Sequence, residues 1–527
     1  YNFIIIYIMK NLFIKMKKLM LLVAGMIFIV PACTNLDEEL YSDLAAENFF
    51  TTDEENIAAL GQAYSSMTHW GNHFNIWTAN ELSSDELVIP TRGGDWYDGG
   101  ILLQLHQHDF TPDNGIIGNA WGVSYGAINT VNRLIYQFSS IEGADAYEAE
   151  LRAIRAFYYF HLLDMFGNVP LSTDFTDTET KANSTRSEVF AFVKSELDAV
   201  IPLLSEKKDA TTYGRMNKWA ALALRMKLHL NAEAWTGTAS WAGAKADADA
   251  IINSGLYSLE ATYSDNFKEE NSGSSENIFV VPYDEVFAGG FNWVAMTLHY
   301  ASQNTFNLTF QPWNGYATVE EFYNSYVDPA HNPGPQGTVV KGKTAGTGTL
   351  DSRLSNFLVG DQGTDDSAGG EAGDDDGTGL YFTPYINMIY PDACRQCGAR
   401  INKYGHVQGG RENMNHDFVL LRYADVLLSK AEAHLWSGDA SGALGIVNQI
   451  RVRAGVTPFN SLDADKMLAE RGREMYVEND RRRALIRFGK FNDAWWEKNA
   501  SDAKYKLFPI PKDQINANSK LVQNPGY

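Results

Sequence analysis

The segment 417–455 constrains the fold more than any other part of this sequence. It holds two runs of apolar residues at helical spacing, separated by the turn residues Ser437-Gly438-Asp439. Gly438 can adopt the left-handed backbone conformation that closes a helix. Small residues on both sides of the turn, such as Ala431 and Ala443, allow two helix axes to approach closely. The pattern is typical of tetratricopeptide-type helical hairpins. Because one hairpin cannot bury its own apolar face, it predicts further hairpins elsewhere.

Two other regions repeat this helical pattern. Apolar residues at helical spacing predict one hairpin over residues 118–166 and another over 185–235. Thr185 with Glu188 has the spacing of a capping box, which marks the start of a helix. A further long helix is predicted over 469–488. The pattern therefore predicts a mainly α-helical fold.

Two long regions interrupt the helices within a single predicted domain, residues 51–527. Residues 69–113 are rich in Gly, Asp and aromatic residues and are predicted to be long, ordered loops. Residues 256–416 hold short β-like runs, such as Asn277 to Pro282, within irregular, loop-rich sequence. Insertions of this size in a helical array lie on one face, and that face is commonly the binding face.

The charge balance narrows the classes of partner. The formal net charge is −22, with 65 acidic and 43 basic residues, so the chain repels nucleic acid and anionic membrane surfaces. Three Cys residues in a chain of this length exclude a disulfide scaffold. Among so many acidic residues, carboxylate pairs such as Glu81 and Asp85 arise by chance and do not argue for glycoside hydrolysis. The H-E-x-x-H signature of zinc peptidases is absent.

Residues 1–32 have the pattern of a secretory signal peptide. Basic residues precede an uncharged apolar run that ends at Ala32 and is shorter than the about 20 residues needed to span a membrane. Cys33 follows directly, which favours a lipoprotein anchored through an acylated Cys33. Residues 33–50 are then a flexible, acidic tether. Residues 1–15 lack a leading Met and are interpreted as a mis-set start.

Several longer motifs resemble the SusD/RagB family of surface glycan-capture lipoproteins of Bacteroidetes. They occur in family order and are LRAIRAFYYFHLLDMFGNVPL at 151–171, DFVLLRYADVLLSKAEA at 417–433, NQIRVRAG at 448–455, ERGREMYVENDRRRALIRFGKF at 470–491, LFPIPKDQI at 507–515 and QNPGY at 523–527. One departure is Ala484, where the family usually has Asp.

The resemblance implies a SusD-like α-α superhelix containing four tetratricopeptide-like units. It also implies that these units pack on a SusC-like TonB-dependent outer-membrane barrel and that the ligand site lies in the irregular loops. The protein would then be lipid-anchored in the outer membrane and face the cell exterior.

Loop aromatic residues are the candidate ligand-binding groups. Flat aromatic rings stack on the C–H faces of sugars, while neighbouring polar groups bind the hydroxyls. The segments 91–98 and 311–316 place both kinds of group on Gly-containing loops. The candidate ligand-binding residues are Arg92, Asp95, Trp96, Tyr97, Trp293, Trp313, Asn314 and Tyr316. The alternative is that these side chains fill a small core within the loops.

Other clusters favour structural interpretations. Cys394 and Cys397 form C-x-x-C, but zinc would need two more ligands and only His406 is near, so a local disulfide is favoured. Asp residues within 361–376 leave a structural calcium site open, although the spacing is not that of an EF-hand and a solvated loop is favoured. No other metal or cofactor is predicted.

The Arg run at 481–483, with Arg487, lies close to several acidic residues in the sequence. A helical ion-pair network explains these arginines better than nucleic-acid binding.

The sequence therefore predicts a non-catalytic receptor that captures oligosaccharide and delivers it to the barrel. Two alternatives belong to other classes. One is a surface-anchored glycoside hydrolase, and the other is a tetratricopeptide scaffold whose ligand is a protein. The identity of the glycan stays open at this point.

Overall fold

The computed structural model describes residues 52–333, 348–363 and 379–527, and the backbone of 338–340 and 343–345. The predicted signal peptide, the tether and Cys33 lie outside the described residues. So does most of the Asp-rich stretch in which calcium was considered.

The described chain is mainly helical, which confirms the predicted fold class. None of its helices is long and apolar enough to cross a membrane. The α-helices are α1 (Asp53–Ser65), α2 (Ile76–Leu82), α3 (Ile101–Gln107), α4 (Gly115–Phe138), α5 (Asp145–Met165), α6 (Arg186–Val200), α7 (Lys218–Thr236), α8 (Trp241–Asn253), α9 (Trp293–Thr297), α10 (Ser302–Thr305), α11 (Glu320–Val327), α12 (Tyr423–Trp436), α13 (Ala440–Arg453), α14 (Ala464–Met475), α15 (Arg481–Arg487) and α16 (Lys512–Ala517).

The β-strands are short and form two-stranded antiparallel sheets, in the pairs β1–β3, β2–β10, β4–β5, β6–β9 and β7–β8. Their bounds are β1 (Leu87–Val88), β2 (Asn277–Val281), β3 (Ala317–Thr318), β4 (Thr338–Val340), β5 (Lys343–Ala345), β6 (Phe357–Leu358), β7 (Gly360–Asp361), β8 (Tyr381–Phe382), β9 (Arg400–Ile401) and β10 (Phe418–Arg422). Turns of 3₁₀ helix lie at Ser66–His69, Asp98–Gly100, Tyr263–Phe267, Ser352–Asn356 and Ala503–Lys506.

The longer helices form an array in which neighbours in sequence pack on each other. Helix α4 packs on α5, α5 on α6, α6 on α7 and α7 on α8. Helix α12 then packs on both α8 and α13. The predicted hairpins at 118–166 and 185–235 correspond to α4–α5 and α6–α7, and Thr185 and Glu188 form the predicted capping box of α6. The region between α8 and α12 is thus an insertion into a continuous array.

The segment 417–455 begins with strand β10 and not with a helix. Strand β10 pairs with β2, and this pairing brings the two ends of the insertion together. Ala431 and Ala443 are fully buried in a shared apolar cluster of α12 and α13, and Gly438 between the helices has a φ of 83°. Val452, although it lies at an apolar position of the helical spacing in the second helix, is exposed.

Two other helical boundaries differ from the prediction. The long helix expected over 469–488 is broken into α14 and α15. Val477 and Asn479 between them have φ values of 52° and 56°, and this left-handed backbone cannot continue a right-handed helix. The region 69–113, expected to be loops, contains the short helices α2 and α3.

Buried carboxyl groups hold this break in place. The Glu81 carboxyl accepts a hydrogen bond from the Asn479 amide at 2.6 Å, and the Glu86 carboxyl accepts one from the Val477 amide at 3.0 Å. Both glutamates are buried. Burial raises the pKa of Glu81 to about 8, so this carboxyl is protonated in the folded protein at neutral pH.

We expect Glu81→Gln to change the pH dependence of stability. An unfolded glutamate has a pKa of about 4.3, so between there and about 8 the folded protein holds one more proton than the unfolded chain. The contribution of Glu81 to the free energy of unfolding therefore falls as pH rises, by up to about 1.4 kcal/mol per pH unit. The glutamine side chain of the variant does not titrate, so its contribution to stability does not fall as pH rises.

Urea unfolding at pH 5, 6, 7 and 8 measures the effect. The variant should gain stability relative to the natural protein as pH rises, whereas Glu233→Gln on the exposed surface of α7 serves as the control. A difference that does not change with pH would contradict the assignment.

A buried ion network joins the insertion to the C-terminal helices. The Arg422 guanidinium, at the end of β10, binds the carboxylates of Glu276 at 2.9 Å, Glu474 at 2.8 Å and Glu478 at 2.7 Å. Arg453 also pairs with Glu276, at 2.7 Å. Arg422, Glu276 and Glu474 are fully buried.

The arginines at 481–483 and 487 do form ion pairs, but with partners from distant elements. The prediction placed these partners on neighbouring helical residues. The pairs are Arg481 with Asp85 at 2.6 Å, Arg482 and Arg483 with Asp164 at 3.3 and 3.4 Å, and Arg487 with Glu432 at 2.6 Å. Because Arg481, Arg482 and Arg483 are buried and the Arg487 side chain is only 3% exposed, these paired arginines do not form a basic surface for nucleic acid.

Candidate functional site

The sheet β1–β3 brings two distant loops together. Leu87 pairs with Thr318 and Val88 with Ala317 in antiparallel register. In such a pair, the chain that leaves one strand runs beside the chain that enters the other. The loop 89–98 therefore lies next to the loop 311–316, and these are the two segments that the sequence singled out.

Four rings from three segments meet where these loops touch. The Trp96 indole N–H donates a hydrogen bond to the Trp313 carbonyl at 2.6 Å. Phe74 packs edge-on against Trp96 with ring centroids 6.2 Å apart, and His73 packs edge-on against Trp313 at 5.3 Å. All four side chains are half-buried, so part of each ring faces solvent. We call His73, Phe74, Trp96 and Trp313 the aromatic platform.

The backbone of the platform is held in an unfavourable conformation. Phe74, Trp96 and Asn314 have φ values of 67°, 65° and 57°. A bulky side chain in this left-handed region costs on the order of 1–2 kcal/mol, and such residues cluster at functional sites. Asparagine adopts this region readily, but Phe74 and Trp96 do not, so their conformation indicates that the surrounding structure fixes these two rings in place before any ligand arrives.

Arg92 and Asn314 are the first corrections to the predicted site. Both side chains are buried. The Arg92 guanidinium donates to the carbonyls of Asn314 at 2.8 Å and Gly315 at 2.9 Å, and to the Cys397 carbonyl at 3.0 Å. Asn314 donates to the Arg395 carbonyl at 3.1 Å. These two side chains connect the loops and leave no surface for a ligand.

Trp293 and Tyr316 are also buried and do not reach the platform surface. The Trp77 ring lies between them, 4.3 Å from Trp293 and 5.3 Å from Tyr316 between centroids. The Tyr316 hydroxyl hydrogen-bonds that of Thr78 at 3.0 Å. For these two residues the alternative interpretation applies, because they fill the core beneath the loops.

Asp95 and Tyr97 are exposed beside the platform. Asp95 accepts a hydrogen bond from the Tyr300 hydroxyl. Burial raises the pKa of Tyr300 to about 12, with Asp95 adding to the effect, so this hydroxyl stays protonated and can donate. The Tyr97 ring packs on Tyr390 at 5.3 Å, and the two side chains are 44% and 47% exposed. They extend the aromatic surface away from Trp96.

His73 contributes an uncharged ring. The Asn292 amide lies 2.7 Å from its Nδ1 atom, which therefore acts as the acceptor and leaves the proton on Nε2. Burial lowers the pKa of His73, so the imidazole is neutral at pH 7. A neutral imidazole can both stack and hydrogen-bond.

The sequence did not single out His73, Phe74, Tyr300 or Tyr390. His73 and Phe74 lie in the first predicted loop region, but composition favoured the tryptophans of that region as ligand-binding residues. Two of these, Trp70 and Trp77, are buried. Tyr300 and Tyr390 lie far along the chain from that region. Only the pairing of β1 with β3 and the folding of the insertion place them here.

A disulfide fixes the third loop of this site. Cys394 and Cys397 are bonded, which confirms the favoured interpretation of C-x-x-C. The carbonyls of both cysteines accept hydrogen bonds from Arg92, at 3.4 and 3.0 Å. Among the described residues, no group of three or more His, Cys, Asp or Glu side chains is arranged to hold a metal ion.

Replacing both cysteines by serine is expected to weaken ligand binding several-fold. The carbonyls that hold Arg92 would lose their fixed spacing, and one weakened hydrogen bond corresponds to about 1 kcal/mol. A disulfide that closes so short a loop contributes about 2 kcal/mol or less to folding, so the protein stays folded. Affinity electrophoresis on glycan-containing gels, with and without reductant, measures the effect. Reductant should lower the glycan affinity of the natural protein and leave that of the variant unchanged. Equal affinity of the two proteins without reductant would contradict the role of the disulfide.

Two family models match this chain. The model described as the SusD family matches residues 275–527. The model described as starch-binding, associating with outer membrane, matches residues 34–230. Together they cover both ends of the helical array and most of the insertion.

Relatives extend over nearly the whole chain. The starch-binding protein SusD of Bacteroides thetaiotaomicron is 27% identical over 87% of this chain and 86% of that protein. A SusD-like protein of Bacteroides ovatus is 24% identical over 89% of this chain and 81% of that protein.

Solved structures show the same fold. Surface glycan-binding protein A from Bacteroides thetaiotaomicron, in complex with laminarihexaose, has a TM-score of 0.71 and 23% identity over 90% of this chain and 100% of that one. A laminarin-binding SusD-like protein has a TM-score of 0.69 and 21% identity, with the same coverage. With two family models, full-length relatives and a shared fold, the chain belongs to the SusD/RagB family.

Proposed function

We propose that this protein is a non-catalytic glycan-binding lipoprotein of the outer membrane. It captures oligosaccharide on the aromatic platform and delivers it to a SusC-like TonB-dependent barrel. Acylated Cys33 anchors it to the membrane, facing the cell exterior. Family membership supports this proposal, as do the starch-binding and laminarin-binding relatives.

The aromatic platform is the observation that carries the proposal. Trp96 and Trp313 are half-buried, joined by a hydrogen bond and packed against Phe74 and His73. Sugar rings stack on such surfaces through their C–H faces. The paired Asp95 and Tyr300 groups lie beside Trp96 and can bind hydroxyls. An ordered aromatic surface with a polar edge matches an extended, polyhydroxylated ligand.

The charges around the platform favour an uncharged glycan. In the segments 91–98, 311–316 and 389–397 the exposed charged residues are the acids Asp95, Asp98 and Asp392 and one base, Arg395. The other base in these segments, Arg92, is buried and bound to carbonyls. A glycan that carries carboxylates or sulfates would be repelled, because both the glycan and this surface are negatively charged.

The carboxylates considered for hydrolysis do not form an open pair. Glu81 is buried against the Asn479 amide, and Asp85 is paired with Arg481. A glycosidase needs two carboxyl groups flanking a sugar. This arrangement supports a binding function without catalysis.

Two short matches to enzyme motifs have the wrong structural setting. Residues 122–126 read G-V-S-Y-G, the spacing of a nucleophile elbow, but they lie within helix α4 and the buried Ser124 hydroxyl donates to the Ala120 carbonyl at 2.8 Å. Residues 337–344 match the spacing of a phosphate-binding loop, but the described strands β4 and β5 in this stretch pair with each other in antiparallel register. Neither has the strand–turn–helix context that its chemistry needs.

Affinity electrophoresis of the purified protein tests the proposal. We expect at least one neutral polysaccharide, from a panel with starch, laminarin and xyloglucan, to retard the protein. Alginate and pectin, which are anionic, should retard it less. No release of reducing sugar is expected on prolonged incubation with the retarding glycan. Retardation by none of the neutral glycans, or steady release of reducing sugar, would overturn the proposed function.

A further inference from the structure

A cavity lies near the aromatic platform and shares no residue with it. Its volume is about 220 Å³, and the segment 406–416 forms most of its wall. Val294 of α9 lines it as well, while the carbonyl of the next residue, Ala295, accepts a hydrogen bond from the Trp313 amide at 2.7 Å. The short helix α9 therefore separates the cavity from the platform.

His416 lines this wall with a buried imidazole. The residue is 1% exposed, and its imidazole meets the Gly405 carbonyl, which leaves one ring nitrogen without a hydrogen-bond partner among the described residues. His406 donates from Nε2 to the Ile401 carbonyl at 2.9 Å, which leaves its buried Nδ1 as an acceptor without a partner. A buried polar atom without a partner is destabilising, so a ligand whose hydroxyl groups reach these nitrogens would be favoured.

The histidines contribute hydrogen-bonding groups and not charge. Burial lowers the pKa values of His416 and His406 to about 4, so both rings are neutral at pH 7. With its N–H directed to the Gly405 carbonyl, His416 offers one acceptor, and His406 offers another. This set matches a hydroxyl better than a charged group.

Two fixed asparagines lie in the same wall. The Asn413 side-chain carbonyl accepts from the Gly290 amide at 2.8 Å, and that of Asn415 accepts from the Glu285 amide at 2.8 Å. The Asn415 side-chain amide donates to Glu269 at 3.1 Å. These bonds tie the 406–416 segment to the turn after β2 and give the cavity a defined polar side.

The charges of the wall repel anions. It carries the carboxylates of Glu269 and Glu285 and one base, Arg411, which pairs with Glu285 at 3.3 Å. Val294 and Met414 provide an apolar side. The cavity volume is several times the about 30 Å³ that one water occupies in the liquid. Polar groups on one side, apolar groups on the other and a negative balance describe a site for a small uncharged polyol.

An exposed ring adjoins this wall in the sequence. Phe287, two residues after Glu285, is 91% exposed. The Asp284 carboxylate fixes the turn by accepting from the amides of Val286 at 2.8 Å and Phe287 at 2.7 Å. An ordered turn that holds a phenyl ring in solvent offers a stacking face like those of the platform.

We propose that this cavity is a second binding site, which takes one uncharged sugar ring. The ring can come from a free monosaccharide or from a branch of a longer glycan. Its hydroxyls meet His416, His406 and the asparagines. The site does not depend on the platform, so either proposal can fail without the other.

Histidine signals in the NMR spectrum of the full chain, labelled with ¹³C in its imidazoles, test the site. The probes are methyl β-D-glucopyranoside, methyl β-D-galactopyranoside and glucuronate, each added up to 50 mM, and His416→Gln assigns the signal. We expect a saturable shift of the His416 signal with at least one of the two neutral glycosides, and a smaller one with glucuronate. No shift with either neutral glycoside, or an equal response to glucuronate, would overturn the site.

Variants separate this site from the platform. Asn415→Ala, at a half-buried position, should weaken the neutral glycoside at least five-fold and leave platform binding unchanged. Asn253→Ala, at an exposed position in α8, is the matched control. The double variant Trp96→Ala/Trp313→Ala should leave the His416 shift intact. Loss of the shift in that variant, or full glycoside affinity in Asn415→Ala, would show that the cavity is not a separate site. If the site is confirmed, comparing branched with linear oligosaccharides of the retarding glycan distinguishes a glycan branch from a free monosaccharide as the source of the sugar ring.

Discussion

Replacing Arg422 by alanine is expected to lower the free energy of unfolding by about 3–5 kcal/mol. The guanidinium is fully buried and binds three carboxylates, those of Glu276, Glu474 and Glu478. It also donates to the Glu474 carbonyl at 2.7 Å. Without the arginine these buried carboxylates lose a major counter-charge, and an uncompensated buried charge is far more costly than a missing surface pair.

Urea unfolding monitored by circular dichroism measures this loss. Arg422→Lys should recover only part of the stability, because one ammonium group cannot make the forked contacts of a guanidinium. Lys194→Ala removes the exposed pair with Asp198, at 2.5 Å, and should cost less than about 1 kcal/mol. If Arg422→Ala destabilised the protein no more than Lys194→Ala, the buried network would have no structural role.

The double variant Trp96→Ala/Trp313→Ala is expected to lower glycan affinity at least 100-fold. Truncating an aromatic anchor costs about 2 kcal/mol or more, which is roughly 30-fold for each residue. The two effects should not be additive, because the Trp96 indole holds the Trp313 carbonyl. Either single variant is therefore expected to disturb both rings.

Isothermal titration with the glycan that retards the protein measures these affinities. Trp96→Phe and Trp313→Phe keep a ring in place and should retain more affinity than the alanine variants. Trp436→Ala is the matched control, because this tryptophan is 37% exposed on α12 and packs only on Phe488 among rings of the described chain. Full affinity in the double variant would rule out the platform as the ligand site.

The helical scaffold was predictable from the sequence because its signals are local. Spacing of apolar residues, the Gly438 turn and the Thr185 capping box each depend on residues a few positions apart. The break between α14 and α15 was not predictable in this way. It depends on buried Glu81 and Glu86, which lie nearly four hundred positions earlier in the chain.

The candidate site was predictable only in part. Composition identified the loops of Trp96 and Trp313, but it carries no information on side-chain direction. Trp293 therefore looked equivalent to Trp313, although one lies in the core and the other reaches solvent. The neighbours of these rings depend on strands as short as β1 and β3, whose pairing no local pattern reveals.

The pairing of β2 with β10 has a consequence for engineering. Val281 and Phe418 are cross-strand partners, so the chain leaves the helical array and returns to it at the same place. The residues between them can be exchanged as a cassette between members of the family where the donor keeps the buried pairs of Arg353 with Glu470 and of Lys403 with Glu478. Such a graft would transfer Trp313 and all of the cavity wall except Glu269, but it would leave Phe74 and Trp96 behind. A chimera should therefore combine rings from donor and recipient, and it should acquire the donor's specificity only when the loop 69–98 is transplanted as well.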